Sequence, residues 1–343
     1  MKKNKFNWRN RRVLVTGGAS FIGSHIVDEL VKMAAFVRVV DDLSSGTKEN
    51  IKEHLNKKTI EFIKGDLLDS RVAKKTTKRI EIVFHLANDH GGRGYVDFHQ
   101  ANCSTNLILD GNVFYSSLKN GVEKIVFASS GCVYPNYLQK DNKKALFLTE
   151  DLVKPPYDAD NIYGWTKLMG ELTLKAYAKE WGVKTASCRF FTVYGDRGKE
   201  NHAVLAMIAR AFIKQNPFIV WGTGEQIRNW TYISDIVKGM ILAAEIVNDG
   251  TSVNLGTTER IRIIDAVNQI LQYTNFHPKI VFRPDMPTGP YNRVADNKLA
   301  KRLLGWEPKV KFVDGVRKTI DWYFATKNKD KVKRQLDHLL LER

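Results

Sequence analysis

Residues 12–41 constrain the fold more tightly than any other part of the chain. Arg12-Val13-Leu14-Val15-Thr16 reads as a short buried strand and runs directly into Gly17-Gly18-Ala19-Ser20-Phe21-Ile22-Gly23. A helical pattern follows through Ile26, Val27, Leu30 and Val31, and the next strand, Phe36 to Val40, ends on Asp41-Asp42. A strand, a glycine-rich turn, a helix and a carboxylate closing the second strand form a dinucleotide-binding fingerprint. Gly17 and Gly23 let backbone N–H groups approach a pyrophosphate at a helix N-terminus, where Phe21 and Ile22 begin the helix. Ser20 stands where a middle glycine is usual, which narrows the space over the phosphates but leaves a hydroxyl to donate. Asp41 can hold both hydroxyls of an adenosine ribose and repels a 2′-phosphate, so NAD is favoured over NADP as the cofactor.

The alternation continues. Ile60-Glu61-Phe62-Ile63 gives a third strand ending at Gly65-Asp66-Leu67, Ile82 to Ala87 a fourth, and Lys124 to Ser130 a fifth. Residues 158–182 read as a long helix and Thr185 to Phe191 as another strand. This pattern predicts an α/β fold, a doubly wound parallel sheet of the Rossmann type. From about 195 it breaks into short segments with Gly, Pro and aromatics, as expected of a smaller C-terminal α/β substrate lobe. The expected division is 1–194 for the NAD-binding part and 195–343 for the substrate lobe, with segments returning to the first. Asp66 and Leu67 fall where the third strand would meet an adenine ring, and a helix-capping Asp beside a core Leu explains them equally well. Leu86 and Ala87, closing the fourth strand, complete the expected cofactor set.

Chemistry is concentrated in Ala128-Ser129-Ser130-Gly131-Cys132-Val133-Tyr134-Pro135 and in Tyr163-Gly164-Trp165-Thr166-Lys167. Tyr163 and Lys167 are one helical turn apart and share a face. An ammonium there is expected to lower the phenol's pKa, so that Tyr163 exchanges the proton of a substrate hydroxyl while Ser130 hydrogen-bonds the same oxygen. Tyr163 and Lys167 also belong to the cofactor set, because the reacting hydroxyl must meet the nicotinamide. A thiol two residues after Ser130 has no use in a plain dehydrogenase. It suits an enzyme that moves a C–H proton beside a carbonyl.

These residues resemble, over nearly the whole chain, the extended short-chain dehydrogenase/reductases of the nucleotide-sugar epimerase/dehydratase family. Within it, Ser-x-Cys-x-Tyr-Pro and the diglycine loop Asn88-Asp89-His90-Gly91-Gly92-Arg93-Gly94 resemble the GDP-mannose 3,5-epimerases and GDP-fucose synthases. The resemblance implies that Cys132 pairs with a second acid/base shortly after Tyr194-Gly195, and His202 falls on that position. It also implies a substrate site of Gly91, Gly92 and Arg93, with a carboxylate and a phosphate both open as the partner of Arg93, Trp221 near the base, and Arg228 and Arg293 on the diphosphate. Phe190-Phe191-Thr192-Val193-Tyr194-Gly195 looks more like the UDP-glucuronate 4-epimerases. The leading expectation is an NAD-dependent epimerase that oxidises C4 transiently and exchanges protons at C3 and C5 of a GDP-hexose. A UDP-sugar 4-epimerase and a GDP-4-keto-6-deoxymannose epimerase/reductase are the alternatives, and a homodimer is what the resemblance implies for assembly.

Composition bears on the surroundings. Net charge is +17, with basic concentrations in residues 2–12 and 327–343, yet no recognised nucleic-acid module appears, and a pyrophosphate-bearing cofactor and substrate account for positive potential. No apolar run approaches the roughly 20 residues of a membrane span, and the N-terminus lacks the apolar core of a signal peptide. The three cysteines lack metal-ligand spacing and cannot build a disulfide framework, so a cytoplasmic protein with no metal is expected.

Overall fold

The computed structural model describes residues 6–141 and 143–341. The outermost parts of both basic ends, 1–5 and 342–343, lie outside them. In chain order the first half comprises β1 (Arg12–Thr16), α1 (Phe21–Lys32), β2 (Phe36–Asp41), α2 (Lys52–Asn56), β3 (Ile60–Lys64), α3 (Ser70–Thr76), β4 (Ile82–His85), α4 (Arg93–Phe98), α5 (Gln100–Ser104), α6 (Asn106–Lys119), β5 (Lys124–Ser130), α7 (Asn161–Trp181) and β6 (Lys184–Phe190). The elements after it include β7 (Thr192–Tyr194), α8 (Ala203–Phe212), β8 (Phe218–Trp221), β9 (Ile227–Arg228), β10 (Trp230–Tyr232), α9 (Ile233–Ile246) and β11 (Asp249–Leu255).

Seven strands form one parallel sheet in the order β11-β6-β5-β4-β1-β2-β3. The chain runs outward from β1 through β2 to β3, then returns to place β4 on the other side of β1. That reversal opens a crevice at the C-terminal ends of β1 and β4, where open α/β sheets bind ligands. Side chains of one strand alternate between two cores. Val13 and Val15 pack with Ile26 and Leu30 of α1 and with Ile236 and Met240 of α9. Leu14 packs on the opposite face with Val113 and Phe114 of α6 and Leu174 of α7. Apolar residues on successive positions are what a parallel strand covered on both faces requires.

The chain leaves the sheet after β6, builds a second lobe, and returns through α9 to β11. That lobe has its own core, in which Leu205 and Ile208 of α8 meet Phe218, Trp230, Phe312 and Ile320. Helix α7 is anchored to the sheet from inside. Glu171 takes a two-pronged ion pair from Arg189 of β6 (Nε 3.0 Å, Nη2 2.7 Å), and the hydroxyls of Ser129 and Ser252 also donate to it. A helix fixed this way holds its first two turns, which carry Tyr163 and Lys167, at one height over the crevice.

Candidate active site

Every residue that the sequence assigns to cofactor, chemistry or substrate lines one continuous cleft of about 560 Å3. At its nucleotide end Thr16 ties the two central strands together, its hydroxyl oxygen accepting from the N–H groups of Leu86 and Ala87 at 3.0 Å each. Gly17 sits at φ +65°, and a Cβ there would stand 2.9 Å from the Ala87 nitrogen, so the turn needs glycine. The Asp41 carboxylate accepts from Ala19 N and Leu43 N at 2.9 Å each, and the Ser20 hydroxyl turns towards it at 3.4 Å. Burial pushes Asp41 above the usual carboxylate range, against the hydrogen bonds that stabilise its charge. Asp66 accepts from Leu68 N at 2.9 Å, while Leu67 is 4% exposed and belongs to the core. Both still face the cleft, so turn-forming and cleft-lining roles coexist there. The glycine cradle and the fixed acceptor at Asp41 fit the pyrophosphate and adenosine ribose of NAD.

At the chemistry end Ser130 closes β5, and its hydroxyl oxygen accepts from Cys132 N at 3.1 Å, folding 131–133 into a single tight turn. Ser130 and Asn88 both hydrogen-bond Tyr163. The Lys167 ammonium lies 5.9 Å from the centre of the Tyr163 ring. The expected lowering of the phenol's pKa is not what the structure gives. Burial dominates, with Cys132 acting in the same direction, and Tyr163 is raised instead. Lys167 is itself so buried that desolvation pushes it down, which weakens the ammonium that was to stabilise a phenolate.

Cys132 is held by a charged array that the sequence did not suggest. Arg293 donates from Nη1 to Cys132 Sγ at 3.1 Å, from Nη2 to Asp160 at 2.8 Å and from Nε to Gln139 at 2.8 Å. Arg93 donates to the same Asp160 oxygen at 2.9 Å and pairs with Asp97. Burial opposes the charge of Asp160, but Arg293 and Arg93 outweigh it and hold its carboxyl below the usual range. The side chain of Arg93 thus meets carboxylates, and Arg293, expected on the diphosphate, meets the thiol. Arg228 differs from both. It donates to the carbonyls of Ile227 (2.8 Å) and Thr288 (2.7 Å) and has no carboxylate partner among the described residues. Burial, then Arg293 and Arg93, push it down to about 9. An arginine kept from carboxylates within a cleft is suited to a diphosphate. Trp221 lies beyond it on the cleft wall.

The diglycine loop is a device for close approach. A Cβ on Gly92 would fall on the Asn201 carbonyl, so only glycine lets this loop pack on the segment carrying His202. Asn106 fixes the loop further, its side chain accepting from Asp89 N at 2.7 Å and donating to Asp89 O at 3.0 Å. As a result the His90 ring stacks on Tyr163 (centroids 4.6 Å, 21° between planes) and lies 5.4 Å from the ring of His202. Burial, and secondarily Lys199, push His202 down to about 4, which leaves its imidazole neutral near pH 7.

His90, Asn88, Asp160 and Gln139 were not assigned roles from sequence. His90 and Asn88 stand inside the quoted diglycine motif, and their neighbourhood to Tyr163 was the missing information. Asp160 precedes Tyr163 by three residues, a spacing that could have drawn attention to it. The C-terminal helix Lys329–Leu341 also brings Leu340 to the cleft wall, a contact no local pattern announces.

Residues 13–256 match the model of the NAD dependent epimerase/dehydratase family. The chain belongs to that family. This NAD-dependent epimerase/dehydratase is 31% identical over 327 residues to GDP-mannose 3,5-epimerase 1 of Oryza sativa subsp. indica, covering 93% of this chain and 83% of the relative. It is 31% identical over 316 residues to a putative UDP-glucose 4-epimerase of Methanocaldococcus jannaschii, covering 90% and 97%. Among solved structures it resembles UDP-glucose 4-epimerase with UDP-glucose from Thermotoga maritima, with TM-score 0.81, 30% identity and coverage of 92% and 99%. The Thermus thermophilus UDP-glucose 4-epimerase complex with NAD gives TM-score 0.80 at 25% identity, covering 92% and 100%.

Proposed function

We propose that this protein is a nucleotide-sugar epimerase acting through a C4 ketone and exchanging protons at C3 and C5, on a GDP-hexose of the GDP-mannose type. The observation that carries the reading is the thiol of Cys132, held against Arg293 in the same cleft as Tyr163 and His202. Bound NAD supplies the reversible oxidation at C4. Tyr163, hydrogen-bonded by Ser130 and Asn88, takes and returns the C4 hydroxyl proton. A ketone at C4 acidifies the C–H bonds on both neighbouring carbons, and inversion at either needs a base on one face and an acid on the other. Cys132 and the neutral His202 supply two such groups. Arg228 holds the diphosphate and Trp221 borders the base. Arg93 acts on the sugar end through Asp160 rather than by direct contact with a phosphate.

The relatives named for UDP-glucose 4-epimerases support a C4-only alternative, in which the ketone turns over and Cys132 moves no proton. Incubation with GDP-mannose in D2O, read by proton NMR and mass spectrometry, separates the two. Deuterium at C3 or C5 without net redox supports the proposal. Epimerised product from UDP-glucose or UDP-glucuronate, with no solvent deuterium on carbon, overturns it in favour of the alternative.

For assembly we propose a homodimer through α6 and α7, which pack side by side. Leu107, Ile108 and Tyr115 of α6 and Ile162, Trp165 and Met169 of α7 are exposed apolar residues at helical spacing. No described helix is long and apolar enough to cross a membrane. Cys103, Cys132 and Cys188 all stand as thiols, and we place the enzyme in the reducing cytoplasm.

A further inference from the structure

Carbon-acid chemistry leaves this site with a problem that His202 cannot solve alone. A base buried deeply enough to be pushed down to about 4 gives up an acquired proton readily, but it needs a group to give it to. Direct return to the same carbon face would undo the inversion. A second titratable group beside His202, open to the cleft, would give that proton a route to solvent away from the substrate.

The diglycine loop places one there. His90 lines the cleft, and its ring is 5.4 Å from that of His202 with 49° between the planes. At that separation one water can bridge the two rings. The loop is held in place: Asn106 clamps the Asp89 backbone at both N and O, the Tyr95 hydroxyl donates to the Asp89 carboxylate at 2.9 Å, and Gly92 seats the loop on Asn201. His90 is thus preorganised, its ring stacked on Tyr163 and neighbouring that of His202.

We propose that His90 is the proton shuttle of the His202 side, accepting from His202 the proton removed from carbon and exchanging it with solvent. The inference rests on the epimerase reading above. The C–H bond next to the C4 ketone breaks, its electron pair delocalises onto the carbonyl oxygen as an enolate, and the proton passes to His202. The resulting imidazolium gives a proton to His90 and becomes neutral again. A proton from the Cys132 thiol forms the new C–H bond on the opposite face and leaves a thiolate. The proton held by His90 passes to cleft water, and water returns one to the thiolate, which restores the starting state. No redox equivalent is consumed in these steps. Because His90 acts through His202, it is a positioning and relay residue rather than one that meets the reacting carbon.

His90→Phe tests this directly, since phenylalanine keeps a ring against Tyr163 but carries no proton. With GDP-mannose in D2O, the variant should keep its reduced-cofactor absorbance transient at C4. It should lose about 100-fold in the rate of deuterium incorporation at the inverted carbon, the scale of one acid–base group. In His90→Ala, added imidazole should restore incorporation, a response that a packing defect would not show. Wild-type exchange with undiminished exchange in His90→Phe overturns the shuttle alone. So does a parallel fall in C4 oxidation and exchange without imidazole rescue, because it would make His90 a support for Tyr163. If the wild type itself exchanges neither centre, the epimerase reading fails first and the shuttle with it.

Discussion

The guanidinium of Arg293 donates to the Cys132 sulfur across 3.1 Å, and the two residues are 161 positions apart in the chain. This pairing decides what the thiol can do. Burial among apolar groups disfavours a thiolate, and it pushes the Cys188 thiol up to about 12. Cys132 instead faces a cation that Asp160 and Gln139 hold in place. A thiolate formed there after proton donation gains a charge-assisted hydrogen bond.

Arg293→Gln should therefore slow proton exchange on the Cys132 face while leaving C4 oxidation in place. A charge-assisted hydrogen bond is worth about 1.5–3 kcal/mol, or roughly one to two orders of magnitude in rate. Solvent-deuterium incorporation measured beside the reduced-cofactor absorbance reads the two steps separately. A variant with both steps intact would show that the contact is only structural.

Iodoacetamide should label Cys132 and spare Cys188. Cys188 is fully buried and its thiol is pushed up, whereas Cys132 lines the cleft. Peptide mass spectrometry locates the adduct, and prior addition of nucleotide sugar should slow the labelling. Equal labelling of the two sites would contradict the buried position of Cys188.

Much of this was legible in sequence, for identifiable reasons. The glycine-rich turn, Asp41 and the alternating strands are local signals, and each stands in the expected place along the sheet. Tyr163 and Lys167 were legible because helical spacing alone puts them on one face. The protein partners of Arg93 and Arg293 were not, since both arginines meet Asp160, 67 and 133 positions away. The expected fall in the Tyr163 pKa failed for a similar reason. Proximity to Lys167 can be read from spacing, but the desolvation that outweighs it depends on the packing of α7 against β5 and the diglycine loop.

With Arg228 on the diphosphate, as proposed, the substrate affinity should depend on pH. Its guanidinium is pushed down to about 9, so the cation is fully present below that pH and is lost as pH rises through it. The KM for nucleotide sugar should accordingly rise above about pH 9 while kcat changes less, because the diphosphate is bound alike in ground and transition states. Arg228→Met should raise KM already at neutral pH and abolish this rise. A pH-independent KM in the wild type would remove Arg228 from the diphosphate.

Glu171 should prove a keystone of stability rather than of chemistry. Glu171→Ala leaves Arg189 buried without its carboxylate, and removal of one partner of a buried pair costs about 3–5 kcal/mol. The same change removes the acceptor for Ser129 and Ser252, so α7 loses one tie to each of β5, β6 and β11 together. Urea unfolding followed by tryptophan fluorescence measures the loss. A midpoint unchanged from wild type would mean that apolar packing alone seats the helix.

The exposed face of α6 and α7 predicts an assembly that one charge can break. Trp165 is 40% exposed and Met169 45%, one turn apart on α7, and Ile108 on the neighbouring α6 is 58% exposed. Apolar side chains of this size clustered on two adjacent helices favour burial against a second copy, since a symmetric pairing would cover the same residues on both subunits. Sedimentation should then give twice the monomer mass for the wild type and a monomer for Trp165→Glu. Neither Trp165 nor Met169 lines the cleft, so the monomeric variant should retain bound NAD. A wild-type monomer at micromolar concentration would overturn the dimer, and the apolar face would need another partner.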